Sequence, residues 1–295
     1  MRAVAAVRKL KVIDIRASLL DPTDLRGIPS VDQGKAVWCP PDFLPHDPAS
    51  KGILFFDELN AAPTLVQASL YQLTLDRRIG EYRLPKGWMI IAAGNRDNDG
   101  SVTFRMPTAL ANRFIHIEFD VDFDDWRTWA MHQNLHHLVT GFLTFRPSLL
   151  WVKPQSNEHA FATPRSWEMI SDLLGSADSP DLIKDVVVGV IGMGPATEFL
   201  NYCSVHASSE WLEQVLENSS TCEIPEHLGH LYALITYLIS MVKTPRARAA
   251  AEILMSRLKP EFAIMLLRGA LLTSPEFATL PGVLAFCKSH KSLLI

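Results

Sequence analysis

The sequence predicts an α/β fold, a parallel sheet with helices, followed by an all-helical region, and three observations predict it. Ile53-Leu54-Phe55-Phe56 and Met89-Ile90-Ile91-Ala92-Ala93 are continuous apolar runs of strand length, as expected of strands covered on both faces. Between them Pro63 opens a helical period that puts Val66, Leu70 and Leu73 on one face. Beyond Phe123 the pattern stays helical to the C-terminus.

Taken in order, residues 1–8 read as a helix, and Lys11-Val12-Ile13-Asp14-Ile15 as a strand of mixed polarity. Residues 21–29 form a short helical turn closed by Gly27, and Gln33-Gly34-Lys35-Ala36 is a turn. Pro40, Pro41, Pro45 and Pro48 make 37–50 an irregular loop. The strand over 53–56 then delivers Asp57 and Glu58 at its carboxyl end, where open α/β sheets place ligands. A helix over 63–75 and a short strand or hairpin over 78–84 lead to the strand at 89–93, which ends in Gly94-Asn95-Arg96. Two buried strands thus bring a pair of carboxylates and a carboxamide to one rim. Ile115-His116-Ile117-Glu118-Phe119 alternates apolar and polar residues as an edge strand does.

Helices are expected over 125–137, with Trp126, Trp129 and Ala130 on one face, and over 163–174, 181–190, 198–203, 226–242, 246–258, 260–272 and 281–289. A loop at 154–159 marks the expected boundary between an α/β core, 1–153, and a helical region, 154–295. His132, His136 and His137 cluster in sequence, but no carboxylate or cysteine nearby completes a metal set, so they are not read as a metal site.

Composition narrows the function classes. With 295 residues, 48% of them hydrophobic, the chain is long enough for a large α/β domain and a smaller helical one. A net charge of −4 carries no polycationic signature of nucleic-acid binding. Cys39, Cys203, Cys222 and Cys287 are scattered without a close pair, which suits reduced thiols in a cytoplasmic protein better than a disulfide framework or a zinc ribbon. The apolar stretch between Arg2 and Arg8 is too short for a signal core, and 231–242 falls short of a bilayer span.

Four segments together resemble the AAA+ ATPases of the MoxR class. Ile53-Leu54-Phe55-Phe56-Asp57-Glu58-Leu59-Asn60 resembles their Walker B segment, and Ala92-Ala93-Gly94-Asn95-Arg96 their sensor 1. Pro107-Thr108-Ala109-Leu110-Ala111-Asn112-Arg113-Phe114 is similar to the segment carrying the arginine finger, and Ala162-Thr163-Pro164-Arg165-Ser166-Trp167 to the sensor 2 start of the lid. The resemblance implies an αβα parallel sheet of order 5-1-4-3-2 with a helical lid, and ATP and Mg2+ as cofactors. Asp57 would bind Mg2+ through water, Glu58 would polarise the attacking water and Asn95 would orient it. Arg113 would act in a neighbouring subunit's site, its guanidinium spreading charge over the transferred phosphate, and Arg165 would contact phosphate from the lid. An ordinary surface ion pair is the alternative for each arginine. The resemblance further implies a homo-oligomeric ring, a hexamer, beside a partner with a von Willebrand factor A domain.

One family element is missing. No Gly-x-x-x-x-Gly-Lys-Ser/Thr occurs; the nearest approach, Gln33-Gly34-Lys35-Ala36, lacks the glycine five residues earlier and the hydroxyl after the lysine. The chain is therefore expected to start just after its own phosphate loop, with the central first strand absent. Two readings stay open at this point: an ATP-driven remodelling subunit, and a catalytically inactive subunit that assembles or scaffolds. A metal-dependent hydrolase built on Asp57, Glu58 and histidines is disfavoured, because the histidines lie far along the chain.

Overall fold

A computed structural model of the chain describes residues 1–95, 104–154, 158–177 and 180–291. Two compact units emerge, Met1–Glu118 and Phe119–Ile295.

The first unit begins with helix α1 (Arg2–Val7), strand β1 (Lys11–Arg16) and the short helix α2 (Pro22–Arg26). Asp21 and Asp24 close a capping box on α2, and Gly27, at φ +83°, ends it; a Cβ there would strike the Cys39 carbonyl. An antiparallel hairpin, β2 (Ile28–Asp32) and β3 (Lys35–Cys39), turns at Gln33 and Gly34, both with positive φ, so the near miss for a phosphate loop is a hairpin turn. The expected loop at 37–50 is thus a strand as far as Cys39. Next come β4 (Lys51–Asp57), α3 (Thr64–Asp76), the two-residue strands β5 (Arg78–Ile79) and β6 (Tyr82–Arg83), β7 (Gly87–Ala92) and α4 (Thr108–Ala111).

Strands β1, β4 and β7 form a parallel sheet in that order. Strand β4 is central, and Gly52, Ile53, Leu54 and Phe56 are buried in it. Gly52 is required there: a Cβ would lie 2.6 Å from the Lys11 carbonyl and 2.7 Å from the Trp88 ring, which crosses over it. Val66, Leu70 and Leu73 of α3 are buried in the same core as Leu54 and Phe56, as their helical spacing implies.

Two expectations about this sheet are corrected. Strand β7, read as an interior strand, has one neighbour among the described residues, and Met89 is accordingly 62% exposed. The edge strand expected at 115–119 is not found among the described residues: 115–119 take no strand conformation, and Ile115, Ile117 and Phe119 are 92%, 82% and 94% exposed. Alternation alone does not make a strand. It needs a neighbouring strand to satisfy its backbone groups.

The second unit is helical: α5 (Phe123–His132), α6 (His137–Phe145), α7 (Pro164–Ser176), α8 (Lys184–Ile191), α9 (Met193–His206), α10 (Ser209–Glu217), α11 (Leu228–Met241), α12 (Pro245–Met255), α13 (Pro260–Thr273) and α14 (Pro281–Ser289). The helix expected over 125–137 stops at His132, with Asn134 at positive φ just after it, and neither α6 nor α10 is among the expected helices. Helix α6 is buried along nearly its whole length, and its Phe142 ring packs on Trp167, Phe199 and Tyr202. Gly141 lets α6 approach closely: a Cβ there would lie 2.5 Å from the Tyr202 hydroxyl and 2.7 Å from that of Thr236. Because Trp126 and Phe142 share a core with Trp167 and Phe199, α5 and α6 belong with the helical unit, and the division falls at Glu118/Phe119 rather than at 153/154. Among the described residues no helix is long and apolar enough to cross a membrane.

Candidate functional site

Parallel register brings the carboxyl ends of β4 and β7 together, with Phe56 opposite Ala92. Just past that pair the chain departs from the ladder. Ala93 donates its N–H to the Phe56 carbonyl and accepts, on its own carbonyl, the N–H of Leu59, both at 2.8 Å. Asp57, still paired with Arg16 of β1, and Glu58 thus lie between two bonds to Ala93, one residue more than a regular parallel rung spans, and the excursion is at Glu58. Glu58 absorbs the bend in the left-handed region, at φ 54° and ψ 38°, an uncommon conformation for a residue with a Cβ.

Three contacts fix this excursion. Asp57 Oδ1 accepts the Glu58 N–H at 3.0 Å, and Ser18, in the turn after β1, donates its hydroxyl to Glu58 Oε2 at 2.5 Å. Leu59 is buried and anchors the outgoing chain. Both acids are half-buried, and among the described residues neither has a cationic partner within ion-pair distance.

Asn95 is tied to the same rim through Asn60. The Asn60 carboxamide donates to the Asn95 carbonyl at 2.5 Å and accepts the Asn95 N–H at 3.1 Å. A side-chain amide here does what a strand residue would do, adding one more rung beyond Ala93. Gly94 makes room for it, since a Cβ would sit 2.5 Å from Asn60 Oδ1. The Asn60 carbonyl in turn accepts the Phe104 N–H at 2.6 Å. Asp57, Glu58 and Asn95 thus share one end of the sheet; Arg96 lies outside the described residues.

Arg113 is placed differently. Its guanidinium donates to the Ala109 carbonyl, one turn back, and lies 5.7 Å from the centre of the Tyr71 ring. With Phe114 it lines a cleft beside Gly87, Trp88 and Met89, toward the amino end of β7. Among the described residues no hydrogen bond or ion pair joins Arg113 to Asp57, Glu58 or Asn95. Arg165 is exposed on the first turn of α7 in the helical unit, where Thr163 and Ser166 form the capping box.

No family model matches this chain, and no curated protein matches it. Among solved structures it is similar to NtrX from Brucella abortus, with 15% sequence identity and a TM-score of 0.33, over 90% of this chain and 59% of that one. The chain thus spans less than two thirds of the length of NtrX. A likeness at that level carries no conclusion about fold or activity.

Among the described residues the rim offers two carboxylates without cationic partners, which are donors of the kind a hard divalent cation takes. Among its described residues there is no glycine-rich run of N–H groups of the kind that cradles phosphates. Sequence reasoning missed Ser18, whose partner lies 40 residues away; its position just beyond β1, at the same end of the sheet, was the available signal.

Proposed function

We propose that this chain is a MoxR-type AAA+ module whose first unit carries the metal-binding and water-activating side of an ATPase site. The observation that carries the reading is the excursion at Glu58, next to Asp57, braced by Ser18 and set beside Asn95 by Asn60. In this reading Asp57 binds Mg2+, which neutralises phosphate charge when bound. Glu58 accepts a hydrogen bond from the attacking water and polarises it, and its fixed backbone and Ser18 contact set the direction of that lone pair. Asn95, its backbone pinned by Asn60, turns its carboxamide to the same water. Arg113 serves the site of an adjoining subunit in a ring, a hexamer, and Arg165 contacts phosphate from the lid. The module would act on a partner protein, one with a von Willebrand factor A domain.

Titrating a non-hydrolysable ATP analogue with Mg2+ into isotopically labelled protein tests this directly. Amide signals of Asp57, Glu58, Asn60 and Asn95 should move together, and Asp57→Asn should abolish the magnesium-dependent part. Shifts confined to other regions, or insensitive to that substitution, would remove the rim from nucleotide binding.

A second reading, an assembly subunit without turnover, is favoured by the lack of any Gly-x-x-x-x-Gly-Lys-Ser/Thr in the 295 residues. Magnesium-dependent shifts at the rim with no phosphate release over hours would select it.

A further inference from the structure

Three histidines far apart in sequence meet in the helical unit. His206 ends α9, His227 is the N-cap of α11, and His230 lies in its first turn. Their ring nitrogens approach within 4.8 Å of one another. His206 Nδ1 and His230 Nδ1 face each other at 3.2 Å. Two nitrogens on one tetrahedral zinc, each at about 2.0–2.1 Å from the ion, lie about 3.3 Å apart, so this pair already has the spacing of two ligands.

We propose that His206, His227 and His230 form a binding site for a divalent transition-metal ion of the zinc class. Imidazole suits borderline ions such as Zn2+ and not Mg2+ or Ca2+, so the site is chemically distinct from the acidic rim. Three protein ligands leave a fourth tetrahedral position for water.

The surroundings prepare the site. Gly229 lets the His206 ring lie against the start of α11: a Cβ there would sit 2.8 Å from the ring. Phe145 flanks His206 and His227, and the Trp211 ring meets His230 edge-on at 5.2 Å, so aromatic rings restrict all three imidazoles. His227 needs one adjustment. Its Nδ1 accepts the Gly229 N–H at 3.0 Å, and its ring stacks on His206 at 4.4 Å, so it must release the cap bond and turn to ligate. His206 and His230 are therefore the preset pair, and His227 closes the site.

The test uses tag-free, chelator-treated full-length protein and Co2+ as the probe, because tetrahedral Co2+ absorbs visibly and octahedral Co2+ scarcely does. Wild-type protein should develop tetrahedral absorption that saturates at one equivalent and is displaced by Zn2+. His206→Gln and His230→Gln should each weaken Co2+ binding beyond the roughly 10–100-fold that loss of an outer-shell partner costs. His227→Gln should weaken it measurably, and Gly229→Ala should weaken it with all three ligands present. His132→Gln, a change at an exposed histidine of α5, should leave binding unchanged. Far-UV circular dichroism of every variant separates lost ligation from lost folding, and any unfolded variant is replaced by the corresponding Asn. A wild-type titration that never saturates, or one that His206→Gln and His230→Gln leave unaltered, overturns the site.

Discussion

The Asn60 side chain hydrogen-bonds both polar groups of the Asn95 backbone, N–H and carbonyl, and so extends the β4–β7 ladder where the main chain of β4 has already turned away. Asn60→Ala should cost about 0.5–1.5 kcal/mol, the net worth of a hydrogen bond, because Asn95 is exposed and water can meet its freed groups. Urea unfolding of the full chain measures it. Asn60→Asp, which keeps the acceptor and loses the donor, should fall between the two; equality with wild type would show that the donor bond contributes nothing.

Ser18 and Glu58 form the other brace. Ser18→Ala should destabilise the first unit by about 1–2 kcal/mol, as for a hydrogen bond to a charged group at a half-buried site. Glu58→Gly is different, because it loses the same bond but also relieves a left-handed backbone worth roughly 1–2 kcal/mol. Its net effect should lie within about 1 kcal/mol of zero. A large loss in Glu58→Gly would mean that the carboxylate has partners beyond Ser18.

In the helical unit, burial pushes His137 down to about 3 from 6.5, and the adjacent His136 adds to the shift. The unfolded chain therefore binds the proton first on acidification. Between about pH 3 and 6.5 the unfolded state holds more protons than the folded one, so stability falls as pH drops through that window and is level above it on this account. The ring faces His136, stacked at 4.5 Å, and Tyr237, edge-on at 5.0 Å. His137→Phe keeps the ring packing and should flatten the slope; chemical denaturation at pH 4, 5.5 and 7 reads it, and an unchanged slope would assign the acid sensitivity to other groups.

Two glycine substitutions should act in opposite directions. Gly141→Ala pushes a methyl against the Tyr202 and Thr236 hydroxyls and should destabilise by about 1–3 kcal/mol, as overpacking does. Gly189, in α8, has open space where its Cβ would be, so Gly189→Ala should stabilise by about 0.4–1 kcal/mol. Thermal melts of the two variants side by side test the close approach of α6.

Exposed apolar residues at 115–119 give the last prediction. Ile117→Lys should change stability by no more than about 0.5 kcal/mol, as for a surface position, and should reduce self-association. A loss of 2 kcal/mol would show that this segment is paired after all.

By itself the sequence determined the elements whose burial is written in their own residues. Four apolar residues before Asp57 require a strand covered on both faces, and Val66, Leu70 and Leu73 require a helix with one buried face; each follows from local spacing. It also determined that two acids and Asn95 terminate neighbouring strands. Tertiary structure alone decided what depends on partners. Residues 115–119 alternate like a strand but lie outside the sheet, with Ile115, Ile117 and Phe119 exposed, and Met89 of the apolar run in β7 is exposed too. Ser18 reaches Glu58, and His206 reaches His230, across 40 and 24 residues of chain. Local periodicity records whether a side chain is buried; only the packed chain decides against which other side chain it lies.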